Sequence, residues 1–118
     1  MGCITDVELD GIVEAFELAQ KNGSGPEVSD FLPLPRHPQY LEVLKELVRV
    51  DLEYSWKLGR PKRVEDYQRS FPQLFEDQPT LHLIAYEEYR VRCQAGECPS
   101  PLEYYERLGL SLADWPWL

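Results

Sequence analysis

The stretch "GRPKRVEDYQRSFP", Gly59 to Pro72, decides how the chain is read. A glycine that stops one element, a proline two residues later, an acidic–aromatic pair and a second proline together make a corner. Related text stands at "GPEVSDFLP", Gly25 to Pro33, and at "GECPSPLEYYERLG", Gly96 to Gly109. Aligned on their aromatics, the copies place Phe31, Tyr67 and Tyr105 at intervals of 36 and 38 residues, and each copy follows a stretch of helical periodicity. The repeating unit is therefore a long helix, a glycine stop, a proline corner and a short aromatic-bearing segment.

The long helices are legible from spacing. "TDVELDGIVEAFELAQKNG" from Thr5 has capping-box spacing between Thr5 and Glu8, puts Ile12, Phe16 and Ala19 on one face, and stops at Gly23. Residues 23–36 are a Pro/Gly-rich connector with Phe31 and Leu32 turned inward. Pro38 is expected to open the second helix at its first position, where a missing N–H costs nothing. That helix carries Leu41, Leu44, Val48, Leu52 and Trp56 on one line and Tyr40, Leu47 and Tyr54 on another, a stripe wide enough to be buried on two sides. Lys57 and Gly59 mark its end.

After the corner, "RVEDYQRSF" is expected to make two helical turns with Val64, Tyr67 and Phe71 inward. A further helix runs from about Pro79 to Ala95 with Leu83, Tyr86, Tyr89 or Arg90, and Cys93 at helical spacing. "SPLEYYERLG" has Ser100 as N-cap, Pro101 at the first position and Gly109 as stop. No window alternates long enough to argue a sheet. The expected fold is an all-α, compact helical bundle of about three helix–corner–short-helix units in a single domain, residues 1–118: a first helix over 1–22, the connector over 23–36, then two units and a Trp-rich tail over 37–118. A tetratricopeptide array is nearest in period, but it needs two comparable helices per repeat, and here the second element is about two turns. Each short segment is instead expected to fold its aromatic back across the helix before it, because so short a helix needs a large side chain as anchor.

Charge narrows the partners. Twelve Lys and Arg against 21 Asp and Glu give −9, unfavourable for nucleic acid or anionic lipid. Residues 1–35 hold one lysine against seven acids, and only the middle third has a positive balance, through Arg60, Lys62, Arg63 and Arg69. Three cysteines, Cys3, Cys93 and Cys98, fit no disulfide framework and point to a reducing compartment, with a local Cys93–Cys98 bridge the lesser reading. No secretory leader and no long apolar run is present, so a cytoplasmic protein with no membrane partner is expected. "MGCITD" departs from the myristoylation pattern at Asp6.

Catalytic apparatus is not expected. His37 reads as a helix-start cap and His82 as a surface side chain; neither has a nucleophile motif beside it. Cys93, Cys98 and His82 have no standard zinc spacing, so neither metal nor cofactor is expected. The pairs Glu65–Asp66, Glu76–Asp77 and Glu87–Glu88 point about 100° apart on a helix and read as solvated faces. "GSG" at Gly23 follows a helix and lacks the phosphate-loop continuation.

The strings "ELVRVDLEY" (46–54), "G.P...EDY...FP" (59–72), "EEYR.R..AGE.PSP.EY" (87–104) and "DWP" (114–116) together resemble the accessory region found upstream of the catalytic domain in planctomycete serine/threonine protein kinases, across about residues 29–116. The resemblance implies a non-catalytic N-terminal regulatory or protein-interaction domain whose partner is another protein or an attached kinase domain. No catalytic residue carries over, because the phosphate-covering loop, the strand lysine, H-R-D and D-F-G are all missing from these residues. The alternatives are a stand-alone helical adaptor and a small DNA-binding regulator using the Arg60–Arg69 cluster. The expected partner-binding residues are Tyr104, Trp115 and Trp117, with the basic fringe Arg60, Lys62, Arg63 and Arg69; the two tryptophans have capping of the bundle as an equal reading.

Overall fold

Gly23, Gly59 and Gly96 have φ of 72°, 75° and 94°, the left-handed region that ends a helix without side-chain strain. Each closes the same pair of backbone bonds. Gly23 N–H donates to Gln20 C=O at 3.1 Å and Ser24 N–H to Ala19 C=O at 3.3 Å. Gly59 and Arg60 repeat this on Trp56 (3.3 Å) and Ser55 (2.8 Å), and Gly96 and Glu97 on Cys93 (3.1 Å) and Arg92 (2.9 Å). The repeat seen in the sequence is thus a repeat of helix terminators in space.

The computed structural model describes residues 6–110, with side chains from Leu9 onward. The described residues form an all-α bundle of five α-helices: α1 Asp6–Lys21, α2 Tyr40–Lys57, α3 Gln73–Glu76, α4 Gln78–Gln94 and α5 Pro101–Leu108, with 3₁₀ turns at Val28–Phe31 and Val64–Tyr67. α2 is central and packs against α1 on one side and α4 on the other. Its Val43, Leu44, Leu47, Val48 and Leu52 are fully buried, as the wide stripe requires, and burying each such side chain contributes about 1.5–3 kcal/mol.

Each short segment lays an aromatic back on the preceding helix. Phe31 meets Phe16 of α1 edge to face, with ring centres 5.2 Å apart. The Tyr67 hydroxyl donates to Asp51 of α2 at 2.6 Å, and the Tyr104 hydroxyl to Glu88 of α4 at 2.6 Å. The third copy is therefore registered on Tyr104, not Tyr105, which is 54% exposed.

Several boundaries differ from the sequence reading. α2 starts at Tyr40 rather than Pro38, because two successive turns, His37 N–H to Leu34 C=O and Tyr40 N–H to His37 C=O, precede it. His37 does not cap α2, whose N-cap is Gln39; its Nδ1 accepts from Gln39 N–H at 3.0 Å within the preceding turn. The first copy has a short element after all, the turn Val28–Phe31. Val64, Tyr67 and Phe71 face inward as expected, but from a 3₁₀ turn followed by a single wider turn, Phe71 N–H donating to Tyr67 C=O at 2.8 Å, and not from two α-turns. α4 starts at Gln78 on Asp77, whose carboxylate accepts from Thr80 N–H at 3.1 Å. Its buried face runs through Leu81, Ile84, Ala85, Glu88, Val91 and Arg92, and Cys93 is exposed. α5 has the expected Ser100 cap, accepting from Leu102 N–H at 3.2 Å, and ends at Gly109 with φ of 70°. The Thr5–Glu8 capping box lies outside the described residues.

Candidate functional site

The reversal at Gly59 sends residues 60–63 back along α2. Trp56 Nε1–H donates to the Lys62 carbonyl at 3.0 Å, and Lys62 N–H donates to Ser55 Oγ at 3.3 Å, so the corner is tied down on both sides. This sets the Lys62 ammonium 2.7 Å from Asp51 Oδ2. Asp51 is buried and also accepts from Tyr67 Oη and, at 3.2 Å, from Gln20 Nε2. Lys62 remains 46% exposed and lies 5.5 Å from the Tyr67 ring centre, so its cation faces both a carboxylate and an aromatic surface. Burial first, and the Asp51 carboxylate second, push the Tyr67 phenol well above its ordinary range, so it stays a donor at any physiological pH.

Around this group opens a cleft of about 560 Å³, between the first corner and the second. Pro26, Val28 and Phe71 form its apolar wall, Ser29 and Ser70 add hydroxyls, and Glu27, Asp51, Asp66 and Lys62 bring charge. A smaller recess of about 210 Å³ shares Pro26, Glu27, Asp51 and Lys62 with it and extends toward Leu58 and Arg60. A volume of several hundred cubic ångströms with apolar walls and a few convergent polar groups is what a binding cleft needs.

A second polar cluster is built on a buried carboxylate. Glu88 is fully buried, and its carboxylate accepts from Val64 N–H (2.8 Å), Tyr104 Oη (2.6 Å), Arg107 through both terminal nitrogens (2.8 and 3.0 Å) and, more distantly, Arg92 (3.5 Å). Arg92 reaches Glu103 at 2.6 Å and Glu97 at 2.9 Å; Arg107 reaches Glu103 at 2.7 Å and Glu65 at 2.5 Å. Burial works against the Arg107 cation, but hydrogen bonds to Glu65 and Glu88 outweigh it and hold its pKa above the usual value. Its hydrogen bond likewise holds Glu65 below the ordinary carboxylate range, and the Arg92 hydrogen bond does the same for Glu103. Every member has a partner, which is the condition for a buried ionic cluster to hold a structure together.

These positions revise the site expected from sequence. Tyr104 is buried in the Glu88 cluster, with Arg107 stacked 4.9 Å from its ring centre, so it offers no surface to a partner. Trp115 and Trp117 lie outside the described residues. Arg60, Lys62, Arg63 and Arg69 are all exposed; Lys62 is seated on Asp51, and Arg63 lies 3.9 Å from Glu103 while its backbone N–H donates to Asp66 at 2.7 Å. Glu87 and Glu88 are buried rather than solvated, because Arg49, Arg90, Arg92 and Arg107 reach them. His82 contacts the Gln78 carbonyl through Nδ1 at 3.0 Å. Cys93 and Cys98 are both free and exposed. Among the described residues, no group of three or more His, Cys, Asp or Glu could hold a metal ion, and no helix is long and apolar enough to cross a membrane.

Sequence reasoning passed over Asp51, Arg92 and Arg107 and took Glu88 for a solvated side chain. A signal was available for Asp51 and Glu88: each is a carboxylate on a buried stripe, and each stands 16 residues before the tyrosine that binds it. Compared with protein-family models, with curated proteins and with solved structures, the chain matches none.

Proposed function

We propose that the chain is a non-catalytic regulatory or protein-interaction domain that works with a bacterial serine/threonine protein kinase, attached or separate. The observation that carries the interaction reading is the open cleft between the first two corners, with an apolar wall and charged rim, beside a Glu88 cluster whose ionisable groups are tied to one another. The kinase association rests on the resemblance of residues 29–116 to the accessory region of planctomycete kinases. The strings that carry it include Asp51 and Tyr67, which line the cleft, and Glu88, Arg92 and Tyr104, which hold α5 to α4.

The test is a pull-down from cytoplasm with the intact chain as bait, comparing wild type with Ser70→Arg, which places a bulky cation at an exposed edge of the cleft. Wild type is expected to capture a protein with kinase catalytic motifs and to change its rate of phosphate transfer, and Ser70→Arg to lose both. Capture of no kinase, or capture unchanged by the substitution, overturns the proposal.

A further inference from the structure

Resting on the reading of this chain as an interaction domain, we propose that the cleft receives a lysine or arginine side chain from a partner's peptide segment, and that Lys62 occupies this seat while the partner is absent. The cleft displays its own ligand chemistry. The Lys62 ammonium sits 2.7 Å from a buried carboxylate and 5.5 Å from an aromatic ring centre, a carboxylate-plus-ring arrangement that selects a cation. Beyond that ammonium the cleft keeps about 560 Å³ of open space. The remaining space is bounded by the apolar wall of Pro26, Val28 and Phe71, which suits the methylene stem of a basic side chain.

Charge favours the same occupant. Asp51 of α2, Glu27 of the first corner and Asp66 of the 64–67 turn line the cleft with Lys62 as the one cation among them, so the lining carries a negative excess even with Lys62 in place. Asp51 is held by Tyr67 and Gln20 independently of Lys62, so its carboxylate stays aimed into the cleft when the lysine leaves. Lys62, half exposed on a flexible four-carbon stem, is the member of the group that can move. Departure of Lys62 thus costs the fold one half-buried ion pair, and the incoming cation restores the charge balance on Asp51.

The experiment titrates the intact chain by ¹H–¹⁵N NMR with a capped, otherwise uncharged peptide bearing one lysine, with its norleucine counterpart and with spermidine. Because Lys62 competes for the seat, Lys62→Met should bind the lysine peptide about five-fold more tightly than wild type, or better. The norleucine peptide should bind neither protein. If Lys62→Met gains nothing, or if norleucine substitutes for lysine, the proposal fails. Spermidine binding as tightly as the peptide would assign the seat to small amines and overturn the peptide reading. Glu27→Gln with Asp66→Asn, both at exposed rim positions, tests the same claim without touching Lys62: unchanged affinity for the lysine peptide overturns it. Should these titrations fail while Ser70→Arg still abolishes kinase capture, the interaction reading stands and only the cationic ligand falls.

Discussion

Glu88 shows how a single charge can be both buried and structural. Its two oxygens take donors from the 64–67 turn, from α4 and from α5, so removing it takes the acceptor from Val64 N–H and the Tyr104 hydroxyl and the one fully buried carboxylate from Arg92 and Arg107. Breaking such a cluster by deleting its common acceptor costs about 3–5 kcal/mol, whereas Tyr104→Phe removes one hydroxyl and should cost about 1–2 kcal/mol. Urea unfolding of Glu88→Ala and Tyr104→Phe measures both. A loss under about 1 kcal/mol for Glu88→Ala would show that the buried charges relax to water and hold nothing together.

At the scale of elements, glycine placement gives a test in which one substitution has two signs. Gly59 lies at φ 75° with no atom within 4 Å of an added Cβ, so Gly59→Ala costs backbone strain alone, about 1 kcal/mol. Gly11 lies within α1, also with no atom within 4 Å of an added Cβ, and Gly11→Ala should stabilise by about 0.5–1 kcal/mol through helix propensity. Thermal midpoints of the two variants moving in the same direction would contradict this assignment of the helix and its stop.

The same contrast explains what the sequence let one read. The stops at Gly23, Gly59 and Gly96 and the whole of α5 are written locally, in caps and in residues near one another in the chain. The inward face of α4 is not, because Glu88 and Arg92 belong there only once Arg107 and Glu103 arrive from α5. The start of α2 depended on two linked turns around Pro38 that spacing does not reveal. For the cleft, Lys62 was visible as part of a basic fringe, but its seat was not, since Asp51, Gln20 and Glu27 come from separate elements.

At the scale of the whole molecule, α5 is bound to the rest by ion pairs as well as by its buried Tyr104, and the ion pairs give stability a pH dependence of known sign. Glu65 and Glu103 are held below the ordinary carboxylate value of 4.5 by hydrogen bonds from Arg107 and Arg92. A carboxylate with a depressed folded pKa contributes stability that is present above the unfolded pKa and lost as pH falls through the folded one. The loss should therefore begin near pH 4.5 and deepen below it. A net charge of −9 acts the other way, since protonating unpaired carboxylates relieves repulsion over the same range. The two are separated by comparison with Arg107→Gln, which leaves most of the net charge but removes the partner of Glu65 and one partner each of Glu103 and Glu88. The repulsive contribution is nearly common to both proteins, so the difference between their thermal midpoints isolates the pairs. That difference should be largest at neutral pH, stay level down to about pH 5, and shrink toward about pH 3 as Glu65 and Glu103 take up protons. A difference that stays constant across that range would mean that Arg107 supports α5 through its packing on Tyr104 rather than through its charge.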